Sequence, residues 1–81
     1  MMADIKEDGL LDASGLSCPM PVVKAAKAMR DLAPGQVLKI VATDRGSVAD
    51  IPAWAEDTGN EMLASTTDGD RYVFLVRKGA A

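Results

Sequence analysis

The stretch Leu11-Asp12-Ala13-Ser14-Gly15-Leu16-Ser17-Cys18-Pro19-Met20-Pro21 holds the end of a strand, a turn and the start of a helix. Leu10 to Ala13 is a short apolar run stopped by Ser14-Gly15, which predicts a first strand. Ser14 to Ser17 is then a loop. Prolines at 19 and 21 mark the first turn of a helix, where φ is already suitable and the missing N–H has no intrahelical partner. A residue before proline avoids the helical region, so the first helical residue is Pro19 or Pro21. Either choice leaves Cys18 at the mouth of the helix.

Downstream, Val22, Ala25, Ala26, Met29 and Ala33 recur at helical spacing with Leu32 beside them, and Lys24, Lys27 and Asp31 lie opposite. Pro34-Gly35 stops this helix. Gln36 to Thr43 is rich in β-branched residues and predicts a second strand, with Leu38, Ile40 and Ala42 on one face and Val37, Lys39, Val41 and Thr43 on the other. Asp44-Arg45-Gly46 is a turn. Ser47 opens a capping pattern with Asp50, but Pro52 obstructs a helix already running through Ser47. The expectation is therefore that Asp50 is the N-cap, Pro52 lies in the first turn, and Ile51, Trp54, Ala55 and Thr58 face inward up to a Gly59 cap. Glu61 to Thr66 and Arg71 to Arg77 flank Asp68-Gly69, a hairpin signal.

The order is β-α-β-α-β-β. Two right-handed helical crossovers place both helices on one face of a four-stranded mixed sheet, a two-layer α/β (α+β) sandwich. Eighty-one residues suffice for one domain. Residues 10–79 are expected to form it, and the polar segment 1–9 to be flexible.

Composition narrows the function classes. A formal charge of −3 disfavours a dedicated nucleic-acid binder, whose footprint would be basic. No run approaches the roughly 20 apolar residues of a membrane span. The acidic start has no apolar core of a secretory signal, and a lone thiol suits a reducing compartment, so a cytoplasmic protein is expected. There is no histidine and only one cysteine, which removes Cys–His and Ser–His–Asp catalysis, Cys-x-x-Cys redox pairs and thiolate metal cages. The glycines are isolated turn residues rather than a phosphate loop. No cofactor or metal is expected.

By elimination, covalent chemistry belongs to Cys18. A lone cysteine is commonly a small buried hydrophobe, whereas the Pro-x-Pro bracket places this one on a loop-to-helix edge. The helix end and free amides such as those of Met20 and Val22 are expected to favour its thiolate. Position alone leaves a reactive thiol and an inert one both open.

The stretch from Leu11 to Pro21, with its Cys-Pro-x-Pro core, resembles the defining segment of the TusA/SirA-like sulfur-carrier family. The likeness continues in Leu32-Ala33-Pro34-Gly35, Ala42-Thr43-Asp44, Asp50-Ile51-Pro52, the Asp68-Gly69 hairpin and Phe74-Leu75-Val76-Arg77-Lys78. It implies the same β-α-β-α-β-β fold and a persulfide carried on Cys18. The chain departs from many members at Arg45, where they have proline. It departs from the tRNA-thiolation carriers at Met20, where they have glutamate, and at Ala26, where they have a basic residue.

The implied activity is that of a sulfurtransferase relay. Cys18 takes sulfane sulfur from a donor protein, a cysteine desulfurase or a rhodanese, and passes it to an acceptor protein in tRNA thiolation, sulfur oxidation, or cofactor or selenium metabolism. Pro19, Met20 and Pro21 would shape the site. Val23, Lys27 and Arg30 fall on one stripe of the first helix and, with Asp44 and Trp54, are candidates for partner docking; each also has an ordinary reading as solvated flank, turn or core. The chain is expected to act as a monomer without membrane or direct nucleic-acid contact. The alternative is a regulatory or protein-interaction module whose cysteine is redox-sensitive or inert.

Overall fold

A computed structural model of the chain describes residues 6–79. The elements are β1 (Gly9–Ala13), α1 (Met20–Arg30), β2 (Val37–Ala42), α2 (Ser47–Asp57), β3 (Glu61–Asp68) and β4 (Arg71–Arg77). They build one four-stranded sheet in the order β1-β2-β4-β3. β1 and β2 are parallel, while β4 runs antiparallel to both β2 and β3. The α2 connection therefore carries the chain past an open slot that β4 fills last.

The alternation of β2 decides which side is covered. Leu38, Ile40 and Ala42 are buried and pair in register with Val76, Phe74 and Tyr72, so these side chains share a face. Ala25 and Met29 of α1 and Ile51 and Ala55 of α2 close over that face in a single cluster. Both helices thus lie on one side, as the sequence predicts. Phe74 is fully buried at the centre; burying one such side chain contributes roughly 1.5–3 kcal/mol.

Several boundaries differ from the expectation. β1 starts one residue early, and Asp8 is tied to Val37 by its amide at 2.7 Å and its Oδ2 at 2.8 Å. Order thus extends into the segment expected to be flexible; residues 1–5 of that segment lie outside the described residues. Strand β3 runs on to Asp68, so the residues linking the hairpin are Gly69 and Asp70, with Gly69 at φ +64. That is the sign a two-residue type II′ turn needs at its first linking position.

The larger correction concerns α2. It begins at Ser47, Asp50 is not its cap, and Pro52 lies inside it. The amides of Ser47, Val48 and Asp50 bond the carbonyls of Asp44, Arg45 and Gly46, so the helix end is satisfied by backbone alone. Pro52, having no N–H, removes the helical bond to the carbonyl of Val48, a half-exposed residue on the outer side of α2. At the other end the Gly59 expectation holds: Asn60 N–H reaches Ala55 O at 2.8 Å around Gly59 at φ +76, a Schellman closure. Thr58 points outward rather than into the core, and its hydroxyl donates to Trp54 O at 2.6 Å.

Candidate functional site

Because β1 and β2 are parallel and Ala13 pairs with Ala42, the loops leaving their C-terminal ends lie side by side. The β1–α1 loop is fastened there. Gly15 N–H donates to Thr43 Oγ1 at 2.9 Å, Leu16 N–H to Ala13 O at 3.2 Å, and Leu16 packs against the core. Asp12 Oδ1 takes the amide of Ser14 at 3.0 Å, and the Ser14 hydrogen bonds hold its carboxyl below the usual range. These contacts carry Cys18 to the turn that follows β2.

The Cys18-Pro19 peptide is cis, Pro19 is the N-cap residue of α1, and Pro21 is buried in its first turn. Met20 is the first helical residue, between the two starts that the prolines allow. Its amide donates to Ser17 O at 2.9 Å and so is not free to hold an anion at Cys18. The first full helical bond runs from Val23 to Pro19 at 3.1 Å.

Cys18 is a free, exposed cysteine. Its Sγ donates to Oδ2 of Asp50 across 2.9 Å. That bond comes first among the causes that push the thiol above its ordinary value; partial desolvation and the charges of Asp50 and Asp44 add to it. This direction is opposite to the expected helix-end stabilisation of the thiolate: two carboxylates stand beside the thiol, and the nearest amide of the helix end is already spent. The charge of α1 itself follows the usual rule, with Lys27 and Arg30 in its last turn.

Gly46 explains how the carboxylates come so close. A Cβ there would sit 2.8 Å from Asp44 Oδ2, 3.6 Å from Asp50 Oδ2 and 3.7 Å from Cys18 Cβ. The two acids and the cysteine thus converge on a point that only a missing side chain leaves open. Asp44 Oδ2 is buried without a partner, as is Oγ of Ser47 at the start of α2.

Beside the thiol runs an open groove between α1 and α2, lined by Cys18, Pro19, Val22, Asp50, Ala53, Trp54 and Asp57. Trp54 also walls a second depression with Ala26, Met29, Arg30 and Lys78. Among the predicted site residues, then, Cys18, Pro19, Asp44 and Trp54 gather at one end, and Trp54 links that end to Arg30. Met20 is 40% exposed and Val23 50%; with Lys27 they stand on the outer side of α1 and line neither depression. Asp50 is the residue the sequence reading missed, having been assigned to the helix cap. Among the described residues no group of three or more His, Cys, Asp or Glu is arranged to hold a metal, and no helix is long and apolar enough to cross a membrane.

A family model described as Sulfurtransferase TusA matches residues 10–78. The putative sulfur carrier protein YrkF of Bacillus subtilis is 53% identical over 70 residues, which are 86% of this chain and 38% of that protein. This chain thus spans well under half of that relative. The sulfur carrier protein TusA of Allochromatium vinosum is 47% identical over 77 residues, covering 95% of this chain and 99% of that one. Among solved structures, a SirA-like protein from Desulfitobacterium hafniense superposes with a TM-score of 0.77 at 26% identity, over 88% of this chain and 97% of the other. A match over nearly every described residue, on the same two-helix, four-strand fold, places the chain in the TusA family of sulfur carriers.

Proposed function

We propose that the chain is a persulfide relay in which Cys18 carries the sulfur. The observation that supports this most is the placement of the thiol: exposed, on a loop-to-helix edge, beside an open groove rather than inside the core. A carrier must offer its sulfur to two different proteins in turn, which an enclosed pocket would prevent. In the step we envisage, the Cys18 sulfur attacks the outer sulfur of a donor persulfide, R–S–S⁻. The donor S–S bond breaks, R–S⁻ leaves and takes the Cys18 proton as R–SH, and Cys18 is left as Cys–S–S⁻. The acceptor's thiol or electrophile then removes the outer sulfur. No net oxidation occurs, so no cofactor is required.

The donor is a cysteine desulfurase or rhodanese, the acceptor a second protein, and the setting cytoplasmic. Pro19, Met20 and Pro21 set the thiol's exposure. Val23, Lys27 and Arg30 offer a half-apolar, basic edge on the outer side of α1, Trp54 lines the groove, and Asp44 lies behind the thiol at the turn before α2. The test is intact-protein mass spectrometry after incubation with a cysteine desulfurase and cysteine. A gain of one sulfur that dithiothreitol removes supports the relay, and no gain overturns it.

A further inference from the structure

We infer that Asp50 is a positioning residue that tunes this carrier toward release, holding the empty Cys18 as a hydrogen-bonded thiol and repelling the anionic persulfide formed there. The inference rests on the reading of Cys18 as the persulfide site and adds what its surroundings do to the loading equilibrium.

The geometry carries it. An acid near the N-terminus of a helix is ordinarily accounted for by the helix, but α2 has no side-chain cap, and backbone carbonyls take its opening amides. The Asp50 carboxylate is instead committed to Cys18, 32 residues earlier in the chain, at 2.9 Å. Asp44 comes from the β2–α2 turn to the same point above Gly46, with an oxygen that is buried and unpartnered. From α2, Asp57 also lines the groove; from α1 the lining residues are Pro19 and Val22, neither charged. Among the described residues, no cation lines this groove to offset the acids.

Consider the exchange Cys18–SH + R–S–S⁻ → Cys18–S–S⁻ + R–SH, with R–SH a small thiol such as glutathione. On the left, the neutral thiol donates to a carboxylate, a charge-assisted bond that is among the stronger kinds. On the right that donor is gone, and a negative sulfur stands near two negative carboxylates, which like-charge interaction disfavours. Both effects push the equilibrium left. The site therefore holds sulfur less tightly than a free cysteine would, which suits a carrier that must hand its cargo on.

The experiment equilibrates the wild type, Asp50→Asn and Asp50→Glu with a fixed ratio of glutathione persulfide to glutathione. The loaded and empty forms are counted by intact mass. The pH midpoint of iodoacetamide alkylation is measured on the same proteins. Asp50→Asn should raise the loaded-to-empty ratio by roughly threefold to tenfold and move the alkylation midpoint down. Asp50→Glu should return both toward wild type. A wild type that loads, with an Asp50→Asn ratio and midpoint unchanged, overturns the role of Asp50 alone. A wild type that takes no sulfur overturns the persulfide reading, and the alkylation midpoint still decides whether Asp50 restrains the thiol. If Asp50→Asn does not fold, Asp44→Asn is read in its place: a smaller shift in the same direction supports the inference, and none overturns it.

Discussion

Cys18 Sγ and Asp50 Oδ2 stand 2.9 Å apart, although one residue leaves β1 and the other belongs to α2. This contact joins the two crossover connections of the fold, and it makes the state of the thiol depend on how the ends of β1 and β2 are aligned. The thiol is held to α2 by this hydrogen bond, and its loop to the sheet ends by the bonds of Gly15 and Leu16.

One consequence is a pH dependence. The folded protein raises the Cys18 thiol above its ordinary value of 9.0, so it keeps a proton that the unfolded chain gives up. Where the native state binds more protons than the unfolded state, stability falls as pH rises. The contribution is complete at neutral pH and is lost from about pH 9 upward, through the folded-state value. Because the thiol is exposed, the effect is small. The measurement is the difference in Tm between the wild type and Cys18→Ser from about pH 7 to about pH 11. The wild-type Tm should fall relative to that of Cys18→Ser toward the alkaline end; a wild-type Tm that stays level with the variant's or rises relative to it would contradict the raised thiol.

Cys18→Ser itself should fold and lose sulfur loading altogether. The side chain is exposed, so no cavity is created, and the serine hydroxyl can still donate to Asp50. Circular dichroism should be unchanged and Tm at pH 7 close to wild type, while no mass gain appears after desulfurase treatment. A variant that unfolds would make Cys18 structural, and one that still gains sulfur would move the site elsewhere.

How much of this was legible in the residues depends on range. The element order, the inward set Leu38, Ile40 and Ala42, and the cysteine at the mouth of α1 follow from local periodicity and proline placement, and all three are present. The role of Asp50 is not local. Read along the chain, an acid two residues before Pro52 looks like a cap; only the parallel pairing of Ala13 with Ala42 brings it to Cys18. That pairing was itself predictable from the first crossover, and it marks the loops after β1 and β2 as neighbours. The acids of residues 44–50 were therefore candidates for contact with Cys18. The helix-end argument counted the amides of Met20 and Val22 as free, whereas the tight loop gives that of Met20 to Ser17, and it could not count the carboxylate of Asp50.

Gly69→Val tests a turn with no part in transfer. Gly69 has φ +64, open space where a Cβ would stand, and a position in the hairpin between β3 and β4, remote from Cys18 in the chain. The cost is then purely conformational, since a β-branched residue resists positive φ, and should be about 1 kcal/mol or more. Urea unfolding should show a lower midpoint with an unchanged slope. The folded fraction should take sulfur at the wild-type level; a stable variant with lost transfer would mean the hairpin belongs to the functional surface.

Gly46→Ala probes the site sterically, leaving every titratable group in place. Gly46 has φ −61 and ψ −26, a conformation that alanine adopts freely, so the backbone imposes no penalty. The new methyl would nevertheless meet Asp44 Oδ2 at 2.8 Å, closer than real Cβ atoms come to a neighbour. Either the Asp44 carboxylate turns away or the turn before α2 shifts, and the overpacking should cost roughly 1–3 kcal/mol. Since the same methyl would lie 3.6 Å from Asp50 Oδ2 and 3.7 Å from Cys18 Cβ, the pair has little room to follow. Displacing a carboxylate from the thiol weakens the repulsion that keeps it protonated, so the alkylation midpoint of Gly46→Ala should fall, in the same direction as for Asp50→Asn. Urea unfolding and the alkylation profile, measured together, separate the two effects. Lower stability with an unmoved midpoint would mean that the space above Gly46 serves packing alone and that the acids act on Cys18 without it.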